Sequence, residues 1–524
     1  MAKVGQIIET KIDRWDGGII NDARDPRENV AKLVSNFDIV KNPRKMTPHN
    51  SSESGDDTSA LERQNFAIAL RTGTTYSLYA LGVKSGASTA EVYYKDINTG
   101  GSNDLGDNSW TETANNESSA GAGEFNLFVY YAKTGMIYGS RVGRFIWEYD
   151  PAGSTAWNDS DADLTSYTNI GQGLVHSKDD ILYVPYDNKI AKNDNGTWTT
   201  TALTLPSHLV ITSISEYGNY LAIACAPLSG FGNSIVYLWD RDASLETLSE
   251  SIDWGTGSLM ILGEIDGELV GISQVGGAAT ITANMPGPST AGSFGDRVIF
   301  RRLAGNKAVK FLELTGGSNT TKLPIAKQKI DNRLYFSMLI EYEGAVRDGV
   351  WSLGRNTAES PISLVHERTS NNNTALETGD NPQNFILVGD YVFITYSDSG
   401  TMTTTKTTSG SAYAHNAIYR SKVFDAGDSS LKKDLIGVSV MTEYLPSSGS
   451  VTLGYRKNEE TSYTTILTHD ADDEISDSAV NIESSGAALP KDYKEIQFEL
   501  VATGANAEIT GFSFRERVVG KRPY

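Results

Sequence analysis

Along most of the chain, short runs of Val, Ile, Leu, Tyr and Phe alternate with polar residues and are punctuated by Gly, Asn, Asp and Ser. A two-residue period of this kind marks half-buried antiparallel strands joined by tight turns. Helical spacing is confined to residues 25–40, where Pro26 suits a first turn and Val30, Leu33, Val34 and Phe37 recur three and four apart. The pattern predicts an all-β chain with one short helix near its N-terminus.

A repeat emerges when the runs are aligned on a turn followed by alternating apolar residues, as in Asp179-Asp180-Ile181-Leu182-Tyr183-Val184. The same signature returns at 133–138, 218–223, 266–271, 295–300, 331–336 and 389–394, with 74–79 as an earlier member. From Leu78 to Val392 there are 314 residues in seven steps, or about 45 per step, the length of a four-stranded propeller blade. The step from Leu269 to Val298 is too short for a blade, so one station is read as an extra hairpin. The expectation is a β-propeller of about seven blades, six to eight being allowed. Two consecutive β-sandwiches are the alternative, and a single register across the repeats favours the propeller.

The organisation changes at both ends. After Thr408-Ser409-Gly410-Ser411 the alternation becomes cleaner, through Ile436, Val438 and Val440 to Ile509, Phe512 and Phe514, enough strands for a β-sandwich. Before the first station lie a Trp-Asp-Gly-Gly turn, the helical stretch and a polar segment. The expected division is a docking arm over 1–60 with one short helix, a propeller over 61–412 and a C-terminal sandwich over 413–524.

Composition narrows the partners. The chain has 524 residues with 65 Asp+Glu against 45 Lys+Arg, a formal charge of −20. This balance argues against nucleic acid or an anionic membrane as the main partner. No window approaches an apolar membrane span, and the first residues have no apolar core of a secretory leader. Cys225, the one cysteine, lies in the apolar run Leu221 to Ala226 and reads as a small buried hydrophobe. Synthesis in a reducing compartment follows.

Two segments carry a resemblance. Asp13-Arg14-Trp15-Asp16-Gly17-Gly18-Ile19-Ile20-Asn21-Asp22-Ala23-Arg24-Asp25-Pro26, with Phe37-Asp38-Ile39 and Asn42-Pro43-Arg44-Lys45, resembles the opening of tail-associated virion proteins of tailed bacteriophages. Tyr419-Arg420-Ser421-Lys422-Val423-Phe424-Asp425-Ala426-Gly427-Asp428, followed by Lys432-Lys433, resembles the entry into their C-terminal β-sandwich. The resemblance implies a structural component of the tail tip, collar or connector, assembled in the host cytoplasm and carried in the virion. Its implied partners are other tail proteins and copies of itself in a symmetric ring. It brings no catalytic motif and no cofactor.

Familiar chemistry is sparse. The histidines (His49, His176, His208, His366, His415 and His469) are scattered singly, without zinc-site spacing, and neither a nucleophile elbow nor a phosphate loop is present. The expectation is that the protein is not an enzyme. A sialidase-like glycan-cleaving propeller, or a host-surface glycan binder, is the alternative. Its turn motif has a partial match at Lys192-Asn193-Asp194-Asn195-Gly196-Thr197-Trp198, which lacks the Ser and reads as an ordinary hairpin. Asp159, Asp161 and Asp163 alternate as calcium ligands do, yet Leu164 and Ile170 stand where a calcium loop needs Gly and Glu, so a solvated turn is the competing reading. Of Trp110, Trp147, Trp157, Trp198, Trp239, Trp254 and Trp351, five or more are expected in the core rather than on sugar-binding platforms.

Basic residues gather at the two ends of this acidic chain: Arg24 with Arg27, Lys41 with Arg44 and Lys45, and Arg515, Arg517, Lys521 and Arg522. They read either as docking sites for acidic neighbours or as solubilising charges. Trp15, Arg24, Arg27, Arg44 and Lys45 are the assembly contacts expected on the docking reading.

Overall fold

The computed structural model describes residues 4–15, 17–20, 29–42, 44–49, 52–54, 61–84, 90–97, 100–101, 104–106, 110–113, 127–140, 143–153, 158–228, 232–242, 250–275, 296–316, 321, 323–324, 326–355, 360–369, 381–398, 401–407, 416–426, 429–443, 445, 447–470, 489–504 and 507–521. Every regular element among them is a strand. The chain divides into two units, one of Met1–Ser52, Trp351–Ala375 and Thr408–Tyr524, the other of Glu53–Val350 and Leu376–Thr407.

The second unit is built from consecutive up-and-down antiparallel sheets. The first holds Leu61–Thr72, Thr75–Lys84, Ala90–Asp96 and Thr111–Glu112; the second holds Leu127–Tyr131, Met136–Ser140, Phe145–Tyr149 and Asn158–Asp163. Leu174–His176, Ile181–Tyr186, Lys189–Asp194 and Thr197–Thr204 make the third, and Leu209–Tyr217, Tyr220–Pro227, Asn233–Trp239 and Glu250–Thr256 the fourth. The fifth has Ser258–Ile265, Glu268–Val275, Arg297–Ala304 and Lys307–Thr315. Lys327–Ile330, Arg333–Tyr342 and the start of Ala345–Gly354 form a sixth, and Asn381–Val388, Tyr391–Asp398 and Thr401–Thr407 belong to the last.

All the turn stations of the sequence but one are hairpins between the first and second strands of these sheets; 295–300 instead opens the third strand of the fifth. The hairpin turns, two residues long in the fifth and sixth sheets and four in the second and third, use left-handed backbone, which Asp and Gly tolerate best. Asp266 (φ 51°) and Gly267 (φ 78°) supply it in the fifth sheet, and Asp180 (φ 51°) and Asp331 (φ 49°) contribute in the third and sixth. The short step from Leu269 to Val298 has a simple cause: both lie in the fifth sheet, on neighbouring strands with Gln274 opposite Val298.

Each sheet buries one face against the next. Tyr79 and Leu81 meet Ile137 and Trp147, Tyr138 and Ile146 meet Leu182 and Val184, and Tyr183 and Ile190 meet Ile223 and Trp239. Ala222 and Trp254 then meet Leu259 and Leu262, Phe300 lies 6.3 Å from Phe336, and Ala326 and Val350 meet Phe385 and Ile394. Finally Ile386, Val388 and Phe393 pack on Phe66, Leu78 and Ala80 of the first sheet. This closure, each sheet covering the next and the last covering the first, makes the unit a β-propeller.

In the first unit, Ile7–Ile12, Ile509–Lys521 and Leu431–Thr442 form a three-stranded sheet in that order. Facing it is a sheet that orders Ser363–Arg368, Ala31–Ser35, Ala417–Ser421, Ile496–Thr503, Ser450–Lys457 and Thr464–Asp470. Phe498 of one sheet lies 4.9 Å from Phe512 and 4.8 Å from Phe514 of the other, and Phe424 lies 4.8 Å from Phe514. These rings form the apolar centre of a β-sandwich.

The expected helix over 25–40 is absent; the part within the described residues is extended. Ala31–Ser35 lies between Ser363–Arg368, to which it runs parallel, and Ala417–Ser421, to which it runs antiparallel. A central strand is apolar on both faces, and Val30, Leu33, Val34 and Phe37 are all fully buried. That double burial reproduces three-and-four spacing without a helix. The strand stops at Asn36, whose φ of 60° turns the chain while its carboxamide oxygen accepts the Thr369 N–H. The stretch expected as an arm thus contributes strands to the same unit as the C-terminal sheets.

Candidate functional site

Within the propeller unit the leading strands of successive sheets border a cavity of about 370 Å³. Its wall takes Leu174 from the third sheet, Ile214 and Glu216 from the fourth, Leu262 and Glu264 from the fifth, and Lys327, Lys329 and Leu334 from the sixth. Lys327 and Lys329 lie two apart on a strand, so their side chains leave the same face. Gly263 lets Leu334 approach: a Cβ there would fall 2.7 Å from a Leu334 methyl.

The charges of this wall are engaged with each other and with main chain. Lys327 Nζ donates to Ser213 Oγ at 2.8 Å, to the Ile214 carbonyl at 2.6 Å and to the Leu262 carbonyl at 2.5 Å. Three acceptors match the three hydrogens of an ammonium. Burial of the amine opposes that charge and pushes its pKa down to about 7. Lys329 is paired with Glu264, and Glu216 accepts from the main-chain N–H and, at 3.0 Å, the hydroxyl of Ser177. The arrangement ties three adjacent sheets together through Lys327. Sequence reading missed this lysine, although alternation in Lys327-Gln328-Lys329 just before the Asp331-Asn332 turn was the available signal.

Of the proposed calcium ligands, the two whose side chains are described are each engaged with other residues. The Asp161 carboxylate accepts the Trp198 indole N–H at 2.5 Å, and its pKa is raised by burial. Asp163 is held by Arg144 at 2.8 Å and by the Thr165 N–H at 2.8 Å, and its pKa is lowered, chiefly by the Arg144 hydrogen bond. The side chain of Asp159 lies outside the described residues. Among the described residues no three His, Cys, Asp or Glu side chains group as a metal site would require.

The expected assembly contacts separate. Trp15 is 1% exposed and stands edge-on to Tyr419 with ring centroids 4.8 Å apart. This corrects its reading as a docking residue, because its surface is already covered inside its own unit. Lys45 reaches Glu443 at 2.7 Å and Glu508 at 3.2 Å, and those bonds raise its pKa. Arg44 is exposed, while Arg24 and Arg27 lie outside the described residues, as does Arg522.

Trp110, Trp147, Trp239, Trp254 and Trp351 are buried as core residues. Trp157 lies outside the described residues, and Trp198 is half-buried, edge-on to Tyr138 at 5.6 Å. The partial sialidase motif is a hairpin, with Asn195 and Gly196 at φ 50° and 86° and the Asn193 side chain accepting the Gly196 N–H. Cys225 is fully buried, and burial raises its thiol pKa, as befits a core residue.

The fold and site define a class: an all-β protein with a propeller unit whose cavity wall carries charged side chains each engaged with protein partners. No family model matches the chain, and no curated protein matches it. Solved structures resemble parts of it at low identity. A chain of the COPII coat assembled on membranes is 11% identical with a TM-score of 0.40, over 68% of this chain and 46% of that one. The chain thus spans under half the length of that coat protein chain. BBS1N in complex with ARL6DN matches at 9% identity and TM-score 0.39 over 73% of this chain and all of the other. A Mycobacterium tuberculosis puromycin-hydrolyzing peptidase matches at 12% and 0.36, over 67% and 52% of the two chains.

Proposed function

We propose that this protein is a structural subunit of a bacteriophage tail, which works by binding neighbouring tail proteins and further copies of itself and transforms no substrate. The observation that carries the reading is the meeting of Trp15 and Tyr419. Each belongs to one of the two segments that resemble tail-associated virion proteins, and the two residues lie more than 400 positions apart in the chain. Their contact makes them parts of one packed unit. The paired charges of the cavity wall agree with a scaffolding role, since each carboxylate there already serves a neighbouring lysine or serine.

The test is to tag the chain, express it in a host with the remaining tail genes, and quantify it in purified particles by mass spectrometry. A fixed integral ratio to the other tail proteins supports the reading. Its absence from particles overturns it, and so would release of reducing ends from host-surface polysaccharide by the purified chain, which would make the protein a glycosidase.

A further inference from the structure

The strand Ile7–Ile12 is the outermost of its sheet, and among the described residues its far edge is paired with nothing. An open edge is a template for another strand. Which main-chain groups face outward follows from its inner pairing: the Val518 N–H donates to the Gln6 carbonyl at 3.0 Å. With a two-residue period, the main-chain groups of Ile8, Thr10 and Ile12 also point inward, and those of Ile7, Glu9 and Lys11 point to the open side. The side chains of Ile7, Glu9 and Lys11 are exposed, whereas Ile12 is buried.

We propose that this edge pairs antiparallel with the same strand of a second copy, in the register that sets Thr10 opposite Thr10. This deepens the assembly reading by naming one surface through which copies meet. In that register Glu9 faces Lys11 of the other copy twice, once on each side of the two-fold axis, and each of these is a pair whose main-chain groups point across the junction. Ile8 faces Ile12 on the core side, which covers the half-exposed Ile8. Shifting the centre to Glu9 or to Lys11 would set like charges opposite each other, and shifting it to Ile8 would leave both charges facing uncharged residues, so within this strand the Thr10 register alone pairs opposite charges. Within its own sheet Glu9 stands opposite Arg515 and Lys11 opposite Ser513. The pairing therefore extends an alternation of cation, anion and cation across the junction. Lys11 already touches Asp13 at 3.2 Å, but both side chains are more than half exposed, and such a pair exchanges readily. A two-fold contact is isologous, so it joins two copies and then stops.

Sedimentation velocity on the full chain over a concentration series tests this. Wild type should reach twice the 56.7 kDa chain mass. Lys11→Glu, which faces an uncharged Ser513 in its own sheet, should weaken the dimer roughly tenfold or more, because two attractive pairs become repulsive. Glu9→Lys should do the same. An equimolar mixture of the two variants should form a heterodimer, and the double swap E9K/K11E should restore the homodimer, so loss of association is separated from loss of folding. A monomeric wild type, or variants that associate as tightly as wild type, would overturn the edge pairing. Association that persists in the variants would still leave the assembly reading standing, because copies would then meet elsewhere.

Discussion

The indole of Trp147 lies flat across Gly139, its cross-strand neighbour in the second propeller sheet: a Cβ at Gly139 would fall 1.9 Å from the ring. The same device recurs where Trp254 covers Gly271, at 2.6 Å. In each case a missing side chain makes room for a large one that seals one sheet on the next.

Gly139→Ala should therefore destabilise the propeller by about 1–3 kcal/mol, the usual cost of overpacking a filled core. Urea unfolding followed by tryptophan fluorescence measures this. A midpoint equal to wild type would mean that the ring can move aside at no cost.

Lys327→Met should also destabilise, by about 1–3 kcal/mol, because Ser213 Oγ and the carbonyls of Ile214 and Leu262 lose their donor. The effect should depend on pH. Burial lowers the folded pKa to about 7 from an ordinary 10.5, so between those values the unfolded chain holds a proton that the native state has released. Stability of wild type then rises with pH across that window, whereas the variant has no such group. The difference between the two proteins should widen from pH 7 to pH 10 in parallel denaturation series, and a constant difference would refute it.

Glu516 behaves in the opposite sense. It is 1% exposed and accepts the Tyr493 hydroxyl at 2.8 Å, and burial raises its pKa. Above the ordinary carboxylate range the native state keeps a proton that the unfolded chain has lost, so stability falls as pH rises through that interval. Glu516→Gln keeps an acceptor for Tyr493 and removes the titration. It should flatten the stability profile from pH 4.5 upward and stabilise the sandwich at pH 7, as read by thermal midpoints.

Calcium should not stabilise the propeller through the 159–163 strand. Asp163 already holds Arg144 and Asp161 already holds Trp198, so a cation would have to displace both. Millimolar calcium and excess chelator should give the same thermal midpoint. A calcium-dependent rise that Asp161→Asn removes would restore the metal reading.

Much of the propeller is legible in the chain because most of its hairpins place Asp or Gly in left-handed backbone, as at Asp180, Gly218, Asp266, Asp331 and Gly389, and because each second strand is rich in apolar residues. The sandwich is legible only in part. Ala31–Ser35 reads as helical because a strand buried on both faces loses the alternation that identifies strands. Its partners lie more than 300 residues away, so nothing local corrects the error. The cavity wall is harder still. Lys327 takes its meaning from two carbonyls on other strands, and carbonyls leave no mark in a sequence. Trp15 shows the reverse failure: an aromatic beside a Gly-Gly turn looked available for docking, and its cover, Tyr419, is invisible from the neighbouring residues.

The pairing of Ile7–Ile12 with Ile509–Lys521 has a consequence for biosynthesis. Ile7–Ile12 is made about 500 residues before the strand it pairs with, so this sheet cannot close until Ile509–Lys521 has been synthesised. At 5–20 residues per second the interval is roughly 25–100 s. Throughout it, the N-terminal strand has two open edges instead of one, and a crowded polysome offers identical strands from sister chains at high local concentration. The five propeller sheets from Leu61–Thr72 to Lys307–Thr315 each close from residues near in sequence and can form during that delay.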